Sequence, residues 1–231
     1  MHRVSAAAVV LVSLVAIATC GRDTSGPTIP VPTAITSIAG DTQTATVGTS
    51  LPQPLVARVT AADGTPVSGV PVSWQVTAGG GSVSTSSVTT DSLGRASVLV
   101  TLGTRAGASA DTIQATVARL ARGAVFTETA TPAAPARIAV ASGNAQTGTV
   151  GEPLHDSLSV AVQDAYGNPS PGVGITWVVT AGSGTLSAAT TTTDAGGHAA
   201  VSWSLGTAAG ADNDSAAARA AGLAGSPVTF V

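Results

Sequence analysis

The sequence predicts an all-β chain built as two tandem β-sandwich domains, and three observations predict it. Apolar and polar residues alternate with a period of two, turn residues punctuate the chain at short intervals, and one stretch occurs twice. TTDSLGRASVLVTLGT spans Thr89–Thr104, and TTDAGGHAAVSWSLGT spans Thr192–Thr207, a shift of 103 positions. Between Ala61 and Thr104, 21 of 44 residues match their partners at that shift without a gap. Solenoid repeats run about 20–50 residues, so this period is that of a whole small domain.

The N-terminus comes first. Val4–Thr19 is apolar except for Ser5, Ser13 and Thr19, behind a start that carries His2 and Arg3. It is short for a membrane span and suits a secretory signal, so residues 1–19 read as a signal peptide. Two cleavage readings end it. Ala16-Ile17-Ala18 fits the small-x-small pattern of an ordinary signal peptidase. Ile17-Ala18-Thr19-Cys20 resembles the lipobox of bacterial lipoproteins, with Thr19 where Gly, Ala or Ser is usual. Cys20 is the only cysteine, and an unpaired thiol is awkward in an exported protein. Lipid attachment at Cys20 is therefore expected. Gly21 is not the aspartate that resembles an inner-membrane retention signal, so an outer-membrane or cell-surface address is expected. Residues 20–32 follow as a lipidated, flexible tether, in which Pro27, Pro30 and Pro32 lack amide donors and favour an extended chain.

The first domain is expected over 33–130 and the second over 137–231, with 131–136 between them in the linker-like stretch TETATPAAPA, Thr127–Ala136. Val70, Val72, Trp74 and Val76 alternate with polar neighbours, and Val173, Ile175, Trp177 and Val179 repeat the pattern. This is a strand with one buried face. Ala96, Val98, Val100 and Leu102 share one face of the next strand. Ala199, Val201, Trp203 and Leu205 share it in the second copy. Leu55–Thr60, Asp111–Ala118 and Gly123–Glu128 are further strands, separated by turns such as Asp63-Gly64-Thr65-Pro66 and Tyr166-Gly167-Asn168-Pro169. The Ala-rich 216–221 is ambiguous. About seven short strands per 100 residues indicate sandwiches of immunoglobulin type.

Composition limits the chemistry. Lysine is absent, nine arginines are scattered, and the net charge is −3. Nucleic-acid binding needs clustered cations, so that partner is excluded. A phosphate loop of the Walker type needs a lysine. Gly172-x-Gly174 precedes a strand, where a dinucleotide fingerprint would precede a helix. His155 and His198 have no second ligand at metal spacing, so no metal site or cofactor is expected. Asp91/Asp194 and Asp111/Asp214 recur between the copies and offer oxygens suited to calcium; turn capping explains the first pair equally well. Trp74, Trp177 and Trp203 stand in phase with buried residues and read as structural core. No catalytic residue is assigned, and the chain reads as a non-enzyme.

Asp164-Ala165-Tyr166-Gly167-Asn168-Pro169, then Gly172-Val173 and Trp177, and Thr193-Asp194 to Gly197-x-Ala199 resemble the signature of bacterial Ig-like domains of group 1. These are the stalk modules of invasin and intimin adhesins. The resemblance covers both copies, about residues 33–231, and the first departs from it with Ala61-Ala62-Asp63-Gly64-Thr65-Pro66. It implies a cell-envelope protein acting as a lipid-anchored spacer or adhesion-type module, with a protein or glycan partner at the surface. It does not carry over adhesion, which in those adhesins belongs to a distal tip. The alternative is an exported module that binds glycan or calcium.

Overall fold

The sequence repeat becomes a strand repeat. In the computed structural model, which describes residues 30–211 and 213–231, the first copy holds ten strands. They are β1 (Ala34–Ala39), β2 (Thr44–Thr46), β3 (Leu55–Thr60), β4 (Pro71–Ala78), β5 (Ser82–Val83), β6 (Ser87–Thr89), β7 (Arg95–Val98), β8 (Val100–Thr101), β9 (Gly107–Val117) and β10 (Ala124–Thr131). The second copy holds β11 (Pro135–Ser142), β12 (Leu158–Asp164), β13 (Gly174–Ala181), β14 (Thr185–Leu186), β15 (Thr190–Thr192), β16 (His198–Val201), β17 (Trp203–Ser204), β18 (Ser215–Arg219) and β19 (Val228–Phe230). Strands β3 to β8 return as β12 to β17, each starting 103 residues later.

In the first sandwich a sheet of order β1-β3-β7 faces one of order β2-β10-β9-β4-β6, with a small β5-β8 ladder at one end. In the second, β11-β12-β16 faces β15-β13-β18-β19, and β14-β17 forms the ladder. Among the described residues all pairs of these strands but one are antiparallel; β10 runs parallel to β2. Two antiparallel sheets over one core make each copy an immunoglobulin-like sandwich.

Alternation sets what is buried. Leu55, Ala57 and Val59 on β3 are fully buried, as are Leu158, Val160 and Val162 on β12. From the opposite sheet come Val72 and Trp74, and in the second copy Ile175 and Trp177. Trp74 meets Phe126 at 5.5 Å between ring centres, and Trp177 meets Phe230 at 5.9 Å. Each such Val, Leu, Ile or Phe side chain contributes about 1.5–3 kcal/mol on burial. Short polar pegs fix the turns. The Thr90 hydroxyl donates to the Val67 carbonyl and accepts from the Val70 amide, and Thr193 repeats both bonds with Ser170 and Val173. Gly94 and Gly197 sit at φ +70° and +74°, where an added Cβ would lie 2.5 and 2.6 Å from the carbonyls of Val59 and Val162. The doubled motif therefore keeps its glycine.

Two segments depart from expectation. Thr127–Thr131 is strand, so the connection to β11 is only 132–134. Its Thr/Ala composition suits a strand, and Phe126, Glu128 and Ala130 share the buried face. The ambiguous Ala-rich stretch is β18, paired with β13 on one side and β19 on the other. It buries Ala216, Ala217 and Ala218 together and shows no alternation. Residues Val31–Val231 form one compact unit.

Candidate functional site

The turn that carries the signature residues reaches out of its own sandwich. Asp164 ends β12 with its side chain fully buried. Its Oδ1 accepts the amides of Tyr166 and Asn168, each at 2.8 Å. Its Oδ2 accepts the Asn168 Nδ2 at 2.8 Å and the Ala133 amide at 2.9 Å, the last from the connection between sandwiches. Burial pushes this carboxyl up, but the four hydrogen bonds outweigh it and hold it below the ordinary carboxylate value.

Asn168, so fixed, turns its amide to the first sandwich. Its Nδ2 also donates to the Thr104 carbonyl at 2.8 Å, and its Oδ1 accepts the Ala106 amide at 2.8 Å. Both partners lie in the loop between β8 and β9. Tyr166 is exposed, and a Cβ added at Gly48 would lie 3.1 Å from its hydroxyl oxygen. Loop 104–106, connection 132–134 and turn 164–168 therefore share one hydrogen-bond network. Asp164 and Asn168 were legible as a motif; that they face a neighbouring sandwich was not.

The other acids also serve backbone. Asp91 Oδ1 accepts the amides of Leu93 and Arg95, and Asp194 Oδ1 those of Gly196 and His198. Asp111 Oδ1 ties Gly81 to Gly103 at 3.2 and 3.0 Å. Asp214 ties Gly184 to Gly206 at 3.2 and 2.9 Å. Among the described residues no group of three or more His, Cys, Asp or Glu is placed to hold a metal ion. His155 lies on an exposed loop beside Asp156, 2.9 Å away, and His198 is exposed on β16.

Trp74, Trp177 and Trp203 are 3, 2 and 2% exposed. Trp177 Nε1 donates to the Thr191 hydroxyl at 2.7 Å. The indole nitrogens of Trp74 and Trp203 are buried without a partner among the described residues. Cys20, with the signal peptide and most of the tether, lies outside the described residues. Among those described, no helix is long and apolar enough to cross a membrane.

Sequence reading missed Glu128. It is fully buried, and its Oε2 accepts the Gln43 amide at 2.6 Å. Burial raises its pKa to about 7; the Gln43 bond opposes the rise, and the nearby charges of Asp41 and Asp111 add to it. Its signal was an acid in phase with Phe126 and Ala130 on a strand.

No family profile matches the chain, and no curated protein sequence matches it. Solved structures do. The two-domain D0-D1 fragment of intimin is 22% identical, with 86% of this chain and 94% of that fragment covered, at a TM-score of 0.34. The Escherichia coli adhesin FdeC is 20% identical over 85% of this chain and 62% of its own, at 0.45. InvD of Yersinia pseudotuberculosis is 18% identical over 87% and 57%, at 0.46. The chain is similar in fold to these proteins, and its own strand order makes it a tandem of immunoglobulin-like sandwiches.

Proposed function

We propose that this is a non-enzymatic, exported cell-envelope protein, anchored through lipid at Cys20, in which two Ig-like sandwiches form a spacer or adhesion-type module. The observation that carries this reading is where the buried and half-buried polar groups go. Asp111, Asp164 and Asp214 hold backbone amides, and Asn168 joins the sandwiches. Such groups supply mechanical continuity. None is paired with a nucleophile or base as hydrolytic chemistry requires.

The resemblance to intimin- and invasin-type stalk modules supports a location at the cell surface and a protein partner there. The domains proposed are 33–130 and 137–231, each with its own aromatic pair and core. The anchor is tested by expressing the chain and Cys20→Ser in a bacterial host fed a labelled fatty acid. Label and membrane partition should follow the parent and vanish from the variant. A mature N-terminus at Thr19 would overturn the lipid anchor.

A further inference from the structure

Glu128 and Asp111 stand directly opposite each other on β10 and β9, on the face that also holds Phe126 and Ile113. Both are fully buried. Directly opposed residues hold their Cβ atoms about 4.5–5.5 Å apart, so the two carboxyl groups are within reach of each other. Each spends one oxygen on backbone. Glu128 Oε2 accepts the Gln43 amide, and Asp111 Oδ1 accepts those of Gly81 and Gly103. The remaining oxygens, Glu128 Oε1 and Asp111 Oδ2, are buried without a partner among the described residues.

Among the described residues no cation neutralises this pair. Strands β1, β2, β4, β9 and β10 carry no arginine or histidine, and Arg105, on the loop between β8 and β9, is exposed. Asp41 adds a third negative charge nearby, its Oδ1 accepting the amides of Thr42 and Thr127. Two facing carboxylates cannot both stay charged in such surroundings, and each orphaned oxygen carries a desolvation cost. One proton answers both, because the protonated oxygen donates and the other accepts. Burial, with the charges of Asp41 and Asp111 behind it, pushes the Glu128 carboxyl up to about 7 against the Gln43 bond, the direction a retained proton requires. Asp214, the counterpart of Asp111, leaves neither oxygen orphaned, since Oδ1 accepts the Gly184 amide and Oδ2 that of Gly206.

The oxygens already engaged hold the parts of the first sandwich that face the second. Asp111 fixes Gly103, whose neighbour Thr104 receives the Asn168 amide. The Gly103 carbonyl in turn accepts the amide of Gly48, which lies beside Tyr166. Glu128 fixes Gln43, where the segment that runs through β2 to Gly48 begins. Asp111 has no room to swing aside, because a Cβ added at Gly79 or Gly81 would collide with its carboxyl. We infer that Glu128 and Asp111 share one proton between Oε1 and Oδ2, and that this proton clamps loop 104–106 and segment 43–48 against the second sandwich. When it leaves, two negative charges repel each other behind the junction, Glu128 lets go of Gln43, and the grip on Asn168 loosens. The inference does not depend on the anchor at Cys20.

Infrared spectroscopy and NMR hydrogen exchange on the whole chain test this. A carboxylic-acid carbonyl band should persist at about pH 6, above the ordinary carboxylate range. It should shift when glutamate is isotope-labelled, which assigns it without a substitution, since the only other glutamate is the exposed Glu152. The protection of the Ala106 amide, corrected for its intrinsic exchange rate, should fall about tenfold from about pH 5.5 to about pH 8.5. Glu128→Gln puts an amide N–H where the proton sits, so the band should vanish and Ala106 stay protected across that range. Absence of the band from the parent, or a band that ignores the glutamate label, overturns the shared proton. A band whose loss with rising pH leaves Ala106 as protected as before overturns the clamp, as does a Glu128→Gln chain in which Ala106 still loses protection. The parent's band, label shift and Ala106 profile decide the matter even where the variant does not fold.

Discussion

The turns after β3 and β12 occupy one position in the fold and do different work. Asp164 to Pro169 carries an acid and an amide that bind outside their own sandwich; Ala61 to Pro66 carries Ala61 and Thr65 there. The backbone is shared, since the Ala61 amide meets the Thr65 carbonyl as that of Asp164 meets Asn168, both at 2.9 Å. The turn therefore needs neither side chain to form. What Asp164 and Asn168 add is the junction to the first sandwich.

The largest expected effect tests whether the copies are energetically separate. Trp177→Ala removes the ring from Phe230 and orphans the Thr191 hydroxyl, and it should cost about 3–5 kcal/mol. Against a typical stability of about 5–15 kcal/mol, the second sandwich then melts well below the first. Trp74→Ala should do the reverse. Calorimetry checks both, and a single transition moving as one in either variant would break the division into two cooperative units.

Asp164→Ala comes next, at about 3 kcal/mol, because the amides of Ala133, Tyr166 and Asn168 lose a buried acceptor together. Asn168→Ala should cost less and free the Ala106 amide to exchange while the interior of β12 stays protected. Thr65→Asn, the mirror change, should stay within about 0.5 kcal/mol as an exposed substitution. An equal cost for Thr65→Asn would mean that the turn, and not the junction, is what the asparagine serves.

Sequence alone carried much of this. Period-two alternation in β4 and β13 fixed which face holds Trp74 and Trp177, and the 103-residue shift fixed the tandem. Where several contacts compete for one residue, the pattern failed. Ala216–Ala218 lie between two strands and are buried on both faces. Thr127–Thr131 has linker-like neighbours in Pro132 and Pro135 and becomes strand only because β2 and β9 flank it. The partners of Asn168 are 62 and 64 residues away, at a distance no local spacing encodes.

Protonation separates the copies by sign. Glu128 has a folded pKa raised from 4.5 to about 7, so between those values the folded first sandwich binds the extra proton. Its stability should fall as pH rises from about 4.5 to about 7 and level off above. Asp164 is shifted the other way, so its contribution is present above its unfolded value of 3.8 and lost as pH falls through the lower folded one. Melts across pH 3–8 should show the first sandwich strongest in mild acid and the second weakening only in stronger acid. Glu128→Gln should flatten the first profile and leave the second alone. Persistence of the slope in that variant would assign it elsewhere.

The smallest effect lies at the indoles. Trp177 has Thr191 as acceptor, whereas the residue 103 positions before Thr191 is Val88, and the Trp74 nitrogen is buried without a partner. Valine and threonine are nearly isosteric, so exchanging them moves one hydroxyl and little volume. Thr191→Val should cost about 1 kcal/mol, the net worth of a hydrogen bond plus the orphaned indole N–H. Val88→Thr should recover less than that, because the new hydroxyl must itself leave water. Val88 is only partly buried, packed against the core from β6, which keeps the desolvation small. A modest rise in the first transition, with a fall of similar size for Thr191→Val in the second, would show that one hydroxyl accounts for this difference between the cores. A loss in both variants would mean that the first core is already adapted to its unpaired indole, with Phe126 and the β6 edge packed too closely to admit an oxygen.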